Sequence, residues 1–249
     1  MSIIKSKIKL IVNYFLAKFD LQISSVNNTK TYLDASETIA AAQRRNMTIR
    51  HYVEELWGQQ GATEKVIKQM QSYGCFSRCD RILEIGAGTG RYLEMTLELA
   101  KPNKYDVYEI DKEWTNYLVK TYAPYIIGQT SDGVSLKSTP NNSCKLVHAH
   151  GVFVYLPFLS AFGYFSEMMR VCKTNGYIVF DLYTESEFTI EIIQKWFGYP
   201  DRYPVVLPKQ TVVKYFENSR FRLIGEFLNK YGHSESKYLI FYNEGFSNG

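Results

Sequence analysis

Between residues 81 and 182 the chain alternates short apolar runs with longer amphipathic ones, and this alternation most restricts the folds open to it. The apolar runs fall at 81–85, 105–110, 125–127, 145–149 and 176–182, with helical spacing at 92–100, 113–122 and 158–172. Strands separated by helices of this length pair in parallel through right-handed crossovers, and such a sheet needs cover on both faces. After Pro208 the pattern changes to a helix near 210–218 and then "FRLIGEFLNKYGHSESKYLIFYN", two strands turning around Gly232–Ser236. A closing hairpin on a parallel sheet makes one strand antiparallel. The expected fold is therefore doubly wound α/β with a mixed sheet.

Upstream, "NMTIRHYVEELWGQQGATEKVIKQMQSYG" reads as two helices broken at Gly58 and Gly61, the second capped by Thr63 and stopped by Gly74. Glu54 and Glu55 are expected on an exposed face of the first. The start differs in character: "MSIIKSKIKLIVNYFLAKFDL" sets Lys5, Lys7, Lys9 and Lys18 among Ile3, Ile4, Ile8, Ile11, Phe15 and Phe19. That is a basic amphipathic helix, suited either to an anionic membrane surface or to packing on protein. "QISSVNNTKT" follows as a polar linker. The expected organisation is an N-terminal helical extension and linker over 1–45, then one domain over 46–249. Within that domain, 46–74 form a helical cover and 80–249 the α/β core.

Composition narrows the function classes. Hydrophobic residues at 45% and charged residues at 22% describe a globular chain with a core. A net charge of +4 is too mild to argue for nucleic acid as a partner. Lysines interrupt the apolar start, which rules against a secretory leader, and no apolar run reaches the roughly 18 residues of a membrane span. The expected location is cytoplasmic, with residues 1–20 as the candidate peripheral contact to the inner membrane face. Cys75, Cys79, Cys144 and Cys172 match no zinc or redox spacing and read as buried reduced thiols.

The chemistry concentrates in "RILEIGAGTGRYLEM", where Gly86, Gly88 and Gly90 crowd the junction of a strand and a helix. In doubly wound sheets ligands bind beyond the carboxyl ends of the strands, so bare backbone here invites a close approach. The spacing is Gly-x-Gly-x-Gly, one residue short of the dinucleotide fingerprint, and the Gly-Lys-Ser/Thr of a phosphate loop is absent. Glu84, two residues before Gly86, would repel a pyrophosphate and attract an amino or sulfonium group. Glu109 ends the second strand 23 residues after Gly86, where an acid can hold two ribose hydroxyls. Asp111 is its neighbouring rival, with Ile110 between them expected to point inward. Asp132, in "GQTSDGVSL", can accept from an exocyclic amine or simply make an Asp-Gly turn.

Together these residues resemble the cofactor site of class I S-adenosylmethionine-dependent methyltransferases. "EIGAGTG" matches that family's acid-x-Gly-x-Gly-x-Gly motif, Glu109 its acid after the second strand, and Asp132 its acid after the third. "MMRVCKTNGYIVFDLY" resembles its helix, turn and fifth strand, with Thr174-Asn175-Gly176 where Pro-Gly-Gly is common. The resemblance covers roughly Tyr73 to Tyr242. It implies a Rossmann-like, seven-stranded mixed sheet with an antiparallel last strand and S-adenosyl-L-methionine as cofactor. The implied cofactor set is Glu84, Gly86, Ala87, Gly88, Gly90, Glu109, Ile110, Asp132, Gly133 and His150.

The fourth strand runs into "HAHGVFVYLPF", and in this family the residues past that strand face the methyl group. His150 is the expected base, with Gly151 allowing close approach, Tyr155 on the next turn, and Asp181 orienting His150 or binding an acceptor hydroxyl. His148 and His150 share one side of the strand by the period of two, so a metal pair completed by Asp181 is a weaker alternative, and no metal is expected. The Asn/Asp-Pro-Pro-Tyr of enzymes acting on nucleic acid or protein glutamine is missing, which favours a small-molecule acceptor. Tyr52 or Trp57, from the helical cover with Arg50 and His51, would meet the sulfonium with an aromatic face. Trp196, Tyr199, Arg202 and Tyr203 in the 188–209 insert would suit stacking on and hydrogen bonding to a sugar or another polar small molecule, with a plain structural cover over the sheet edge as the competing reading. The reading is methyl transfer to a hydroxyl or amine of a small molecule, with a glycan or glycolipid sugar as the leading guess. An aminopropyltransferase-like enzyme and a non-catalytic S-adenosylmethionine-binding scaffold are its competitors.

Overall fold

The computed structural model of the protein describes residues 33–198 and 204–245. The expected N-terminal helix and linker, together with Tyr199, Arg202 and Tyr203, lie outside the described residues. Seven strands form one sheet: β1 (Arg81–Ile85), β2 (Lys104–Tyr108), β3 (Ile126–Gln129), β4 (Cys144–Ala149), β5 (Cys172–Leu182), β6 (Phe221–Tyr231) and β7 (Ser234–Asn243). Their order is β3-β2-β1-β4-β5-β7-β6, parallel except for β7, which runs antiparallel to both β5 and β6. Strand order reverses between β1 and β4. The crevice at their carboxyl ends is the place such a sheet offers a ligand.

The period of two gives the sheet two different faces. Register sets Glu84 beside His148 and Asp181 beside Tyr238, so these polar groups share a face with Tyr105, Ile82 and Val107. The opposite face carries Leu83, Ile85, Val147, Ile178, Phe180, Leu239 and Phe241, all buried in an apolar core. Helices Phe158–Val171 and Lys209–Glu217 supply Phe165 and Phe216 to that core. Phe165 stacks on Phe180 at 4.8 Å and Phe216 on Phe241 at 4.2 Å between centroids. Each such ring contributes roughly 1.5–3 kcal/mol by leaving water.

The polar face is covered by α3 (Ala62–Ser72) and α4 (Arg91–Ala100), whose Val66, Ile67, Met70 and Leu93 pack on Ile82, Tyr105 and Val107. Two further helices precede them, α1 (Ala35–Arg44) and α2 (Ile49–Leu56). The second crossover is α5 (Lys112–Tyr122), capped by Asp111. The start of α3 differs from expectation. Its N-cap is Gly61 with φ of +76°, not Thr63, which is fully buried inside the helix. Glu54 of α2 does the capping from outside, accepting from the backbone N–H groups of Gly61 and Thr63 at 2.9 Å each. Glu54 is thus buried, whereas Glu55 stays on the surface and pairs with Arg45.

All four cysteines are free and buried, and burial pushes the thiols of Cys79 and Cys144 up to about 11. No described helix is long and apolar enough to cross a membrane.

Candidate active site

The glycine turn leaves β1 with left-handed backbone at Gly86 (φ +67°), Gly88 (+49°) and Gly90 (+77°). The three glycines serve different ends. A Cβ on Gly86 would lie 2.6 Å from Val152, and one on Gly90 would lie 2.4 Å from Leu118, so both are held bare by the protein's own packing. A Cβ on Gly88 would meet nothing nearer than a backbone oxygen at 4.0 Å. Gly88 alone leaves its space open.

Glu109 sits against that opening. Its Oε2 accepts from the Gly88 N–H at 2.8 Å and its Oε1 from the Asp111 N–H at 2.9 Å. Burial raises its pKa, opposed by these backbone donors. Asp111 is committed elsewhere, capping α5 through Glu113 and Trp114. Ile110 does not point inward: it is 56% exposed and offers an apolar surface beside Glu109. Asp132 accepts from the Val134 and Ser135 N–H groups, the Ser135 hydroxyl and Lys137 Nζ. Those donors hold its carboxyl far below the usual range and engage both oxygens in the Asp-Gly turn, with Gly133 at φ +75°. Val134 beyond it is 57% exposed, a second apolar surface on this rim.

Behind the turn runs a continuous buried polar chain. Tyr105 donates to Glu84 Oε2 at 2.7 Å and lies 2.8 Å from His148 Nε2. His148 Nδ1 is 2.8 Å from His150 Nε2, and His150 Nδ1 is 3.1 Å from the Tyr238 hydroxyl. The hydroxyls of Tyr238 and Tyr92 lie 3.4 Å apart, and the Tyr92 ring stacks on His150 at 3.8 Å. Burial first, and the Glu109 charge next, push Glu84 up to about 8, while the Tyr105 hydroxyl and Arg91 pull it down. Burial depresses His148 to about 3, and burial with its neighbours depresses His150 strongly, so both rings are neutral.

His150 is therefore not the free base expected, because both its nitrogens already hold partners inside the protein. The ligand atoms of Glu84, His148 and His150 do fall within 4.8 Å of one another. The imidazoles are nevertheless bonded directly to each other, and Asp181 is not part of the group.

Asp181 Oδ1 accepts from the Gly151 N–H at 2.7 Å, so it fixes the loop after β4. Its Oδ2 is buried with only the Ser236 hydroxyl near it, and burial raises the carboxyl to about 6 against the pull of Gly151 and Ser236. Gly151 (φ +69°) is bare because Tyr231 fills the space a Cβ would need, at 2.4 Å. Tyr155 faces Tyr231 at 6.3 Å between centroids.

From the helical cover, Trp57 lies under the Arg91 guanidinium at 5.0 Å, and Tyr52 lies under Arg45 at 5.8 Å. Arg50 reaches Glu94 at 3.4 Å. A cavity of about 360 Å³ runs between α1, α2 and the turn, bordered by Met47, Arg50, Thr89, Gly90 and Glu94. Trp196 closes the short helix Ile190–Trp196, and it does not line a cleft. It is buried against Tyr183 and His233, so it serves packing.

Sequence reasoning missed Tyr92, Tyr105 and Tyr238. The period of two puts Tyr105 on the face of Glu109, which was available as a signal, but Tyr238 enters only through the β5–β7 pairing. The open Gly88, the neighbouring carboxylate and the exposed Ile110 fit an adenosyl group bearing a cationic methionyl end. A phosphate chain does not fit, with the Glu109 carboxyl already on the Gly88 N–H.

Comparison with known proteins agrees. Residues 83–180 match a family model described as a methyltransferase domain. No curated protein matches the sequence. Among solved structures, a SAM-dependent methyltransferase from Aquifex aeolicus is similar at 17% identity over 85% of this chain and 99% of that one, TM-score 0.52. Magnesium protoporphyrin IX methyltransferase from Synechocystis PCC 6803, with bound SAH, is similar at 12% over 94% and 99%, TM-score 0.58. A 1,6-didemethyltoxoflavin-N1-methyltransferase from Burkholderia thailandensis is similar at 12% over 86% and 92%, TM-score 0.58. Turn, acid, sheet order and family match converge: residues 83–180 match a methyltransferase domain, and the seven-stranded sheet around them has the fold of the S-adenosylmethionine-dependent methyltransferases it resembles.

Proposed function

We propose that the enzyme methylates a hydroxyl or amine of a small molecule, which enters beside Asp181 and the loop after β4. The observation that carries this reading is the buried Asp181 carboxyl beside Gly151, whose Oδ2 has only the Ser236 hydroxyl near it. An acceptor's O–H or N–H would add a donor to that oxygen, and a hydrogen bond to a charged group contributes about 1.5–3 kcal/mol. The Burkholderia relative holds 1,6-didemethyltoxoflavin, a small molecule, in its structure. Of the residues proposed to hold a sugar, Trp196 is instead inside a packed cluster.

Glu84, Gly86, Ala87, Gly88, Gly90, Glu109, Ile110, Asp132, Gly133 and His150 remain the proposed cofactor surroundings. Gly88 and Glu109 are its centre: the backbone admits the ligand and the carboxylate takes the ribose hydroxyls. Bound there, S-adenosylmethionine supplies an electrophilic methyl group on a sulfonium. The chain's part is to hold the acceptor in line, about 3–3.5 Å from the methyl carbon, and to place the released proton. His150, Tyr155 and Asp181 are the proposed groups around the acceptor. The test is incubation of the protein with methyl-labelled cofactor and cell extract, followed by mass spectrometry. Label in a small molecule, lost on Asp181→Asn, is the expected result. Label only in protein or RNA would refute the acceptor class.

A further inference from the structure

We propose that Arg91 holds a carboxylate of the acceptor, which makes the small molecule an amino or hydroxy acid rather than a neutral compound. This inference rests on the methyl-transfer reading above and names its acceptor class. The amine or hydroxyl takes the methyl group, and the acid is the handle that orients it.

Arg91 opens α4 directly after the glycine turn and is 7% exposed. Two rings cover its guanidinium: Trp57, at the end of α2, lies 5.0 Å from Cζ and Tyr92 lies 4.9 Å away. Aromatic faces attract the cation but leave its in-plane N–H donors unused. Nη1 is buried with no hydrogen-bond partner. The acids that feel the Arg91 charge are Glu54, Glu84 and Asp181. They already accept from other donors: Glu54 from the Gly61 and Thr63 N–H groups, Glu84 from Tyr105, and Asp181 from the Gly151 N–H. A guanidinium stays charged at every working pH, and a buried charge without a counter-ion is costly.

Position sets this group apart from the ribose end of the cofactor. Glu109 and Asp132 follow β2 and β3, on one side of β1 in the sheet. The Arg91 charge also reaches His150, Tyr231 and Tyr238, which with Asp181 belong to the ends of β4 to β7, on the other side. Tyr92, which the guanidinium covers, stacks on His150 at 3.8 Å. Arg91 thus shares the acceptor side with Asp181: the cation takes a carboxylate, and the carboxyl takes an O–H or N–H. A carboxylate meets the forked donors edge-on with two parallel hydrogen bonds. With three acids in range, one negative charge fits better than the two of a phosphate. The cover is thin, since Arg91 borders the cavity of about 360 Å³ and Trp57 over it is 42% exposed.

The test is a nuclear magnetic resonance titration of the full chain saturated with S-adenosylhomocysteine. It reads the Arg91 Nε–H signal, assigned by its loss in Arg91→Lys. Glycolate, glycine and salicylate are added against their three amides, each to about 50 mM, as ligands of few atoms require. At least one acid should move the signal saturably, with its amide roughly ten- to a hundredfold weaker, the worth of a charged hydrogen bond. Arg91→Met keeps the length and loses the charge. It should abolish that preference while its S-adenosylhomocysteine Kd stays within twofold of wild type. In the labelling experiment the methylated product should couple to an amine through carbodiimide, and its label should survive mild base. A signal unmoved by all three acids, equal binding of acids and amides, or label released by base as methanol, the mark of a methyl ester, would each overturn the proposal. So would an Arg91→Met protein that binds S-adenosylhomocysteine tenfold more weakly and methylthioadenosine as before, since the guanidinium would then hold the cofactor's own carboxylate. Failure of the methyl-transfer reading looks different: wild type binds no S-adenosylhomocysteine, whatever the acids do.

Discussion

Replacing Gly88 with alanine separates a glycine kept for a ligand from one kept for packing. At Gly88 the new methyl group would meet no protein atom inside 4 Å, so the cost to the fold is the left-handed backbone alone (φ +49°). That is about 1–2 kcal/mol. In a domain of this size each kcal/mol lowers the melting midpoint by about 2–4 °C, giving a fall of roughly 2–8 °C. Gly90→Ala adds a 2.4 Å clash with Leu118 to its own left-handed backbone. Overpacking of that kind costs about 1–3 kcal/mol more. Thermal melts with and without S-adenosylhomocysteine, checked by calorimetry, read both effects. Wild type at a hundredfold excess over Kd should gain about 2.7 kcal/mol. Gly88→Ala should stay folded and gain almost nothing, because its methyl occupies the space left for the cofactor. If Gly88→Ala binds S-adenosylhomocysteine within twofold of wild type, the open space at Gly88 is not the cofactor's, and the site has been misplaced.

Other outcomes follow from the same geometry. Glu109→Gln keeps an acceptor for Gly88 but removes the charge, and should weaken S-adenosylhomocysteine binding by roughly ten- to a hundredfold in calorimetry, the worth of a charged hydrogen bond. Glu84 is raised on folding, so its stabilising contribution is complete below the unfolded carboxyl range and is lost as pH climbs through about 8. Urea midpoints should therefore fall between pH 6.5 and 8.5, where both buried histidines stay neutral, and Glu84→Gln should flatten that fall. Trp196→Ala should cost about 3–5 kcal/mol in urea unfolding, as a buried aromatic does, without selectively altering the acceptor KM.

Much of this was legible in the sequence because it depends on local spacing. The alternation of strands and helices, the three glycines and the acid ending β2 are each read within one segment, and Glu109 outranks Asp111 because Asp111 is spent on a helix cap. What escaped depends on who stands next to whom. Glu54 looks like a surface carboxylate until the chain turns at Gly61 and brings the start of α3 onto it. Asp132 has its oxygens taken by donors two to five residues away, a competition that composition does not weigh. His150 reads as a lone base because its partners, Tyr92 and Tyr238, are 58 and 88 residues distant in the chain. Only the assembled sheet, with α4 packed on it, reveals them.

The contrast between the two sides of the sheet makes β4 unusually intolerant of insertions. Adding or removing one residue ahead of His148 would turn both imidazoles toward Phe165 and Phe180 and swing Val147 into their place. One codon's worth of slippage would strand the histidines in oil and interrupt the wiring at its midpoint, even if every residue type were retained.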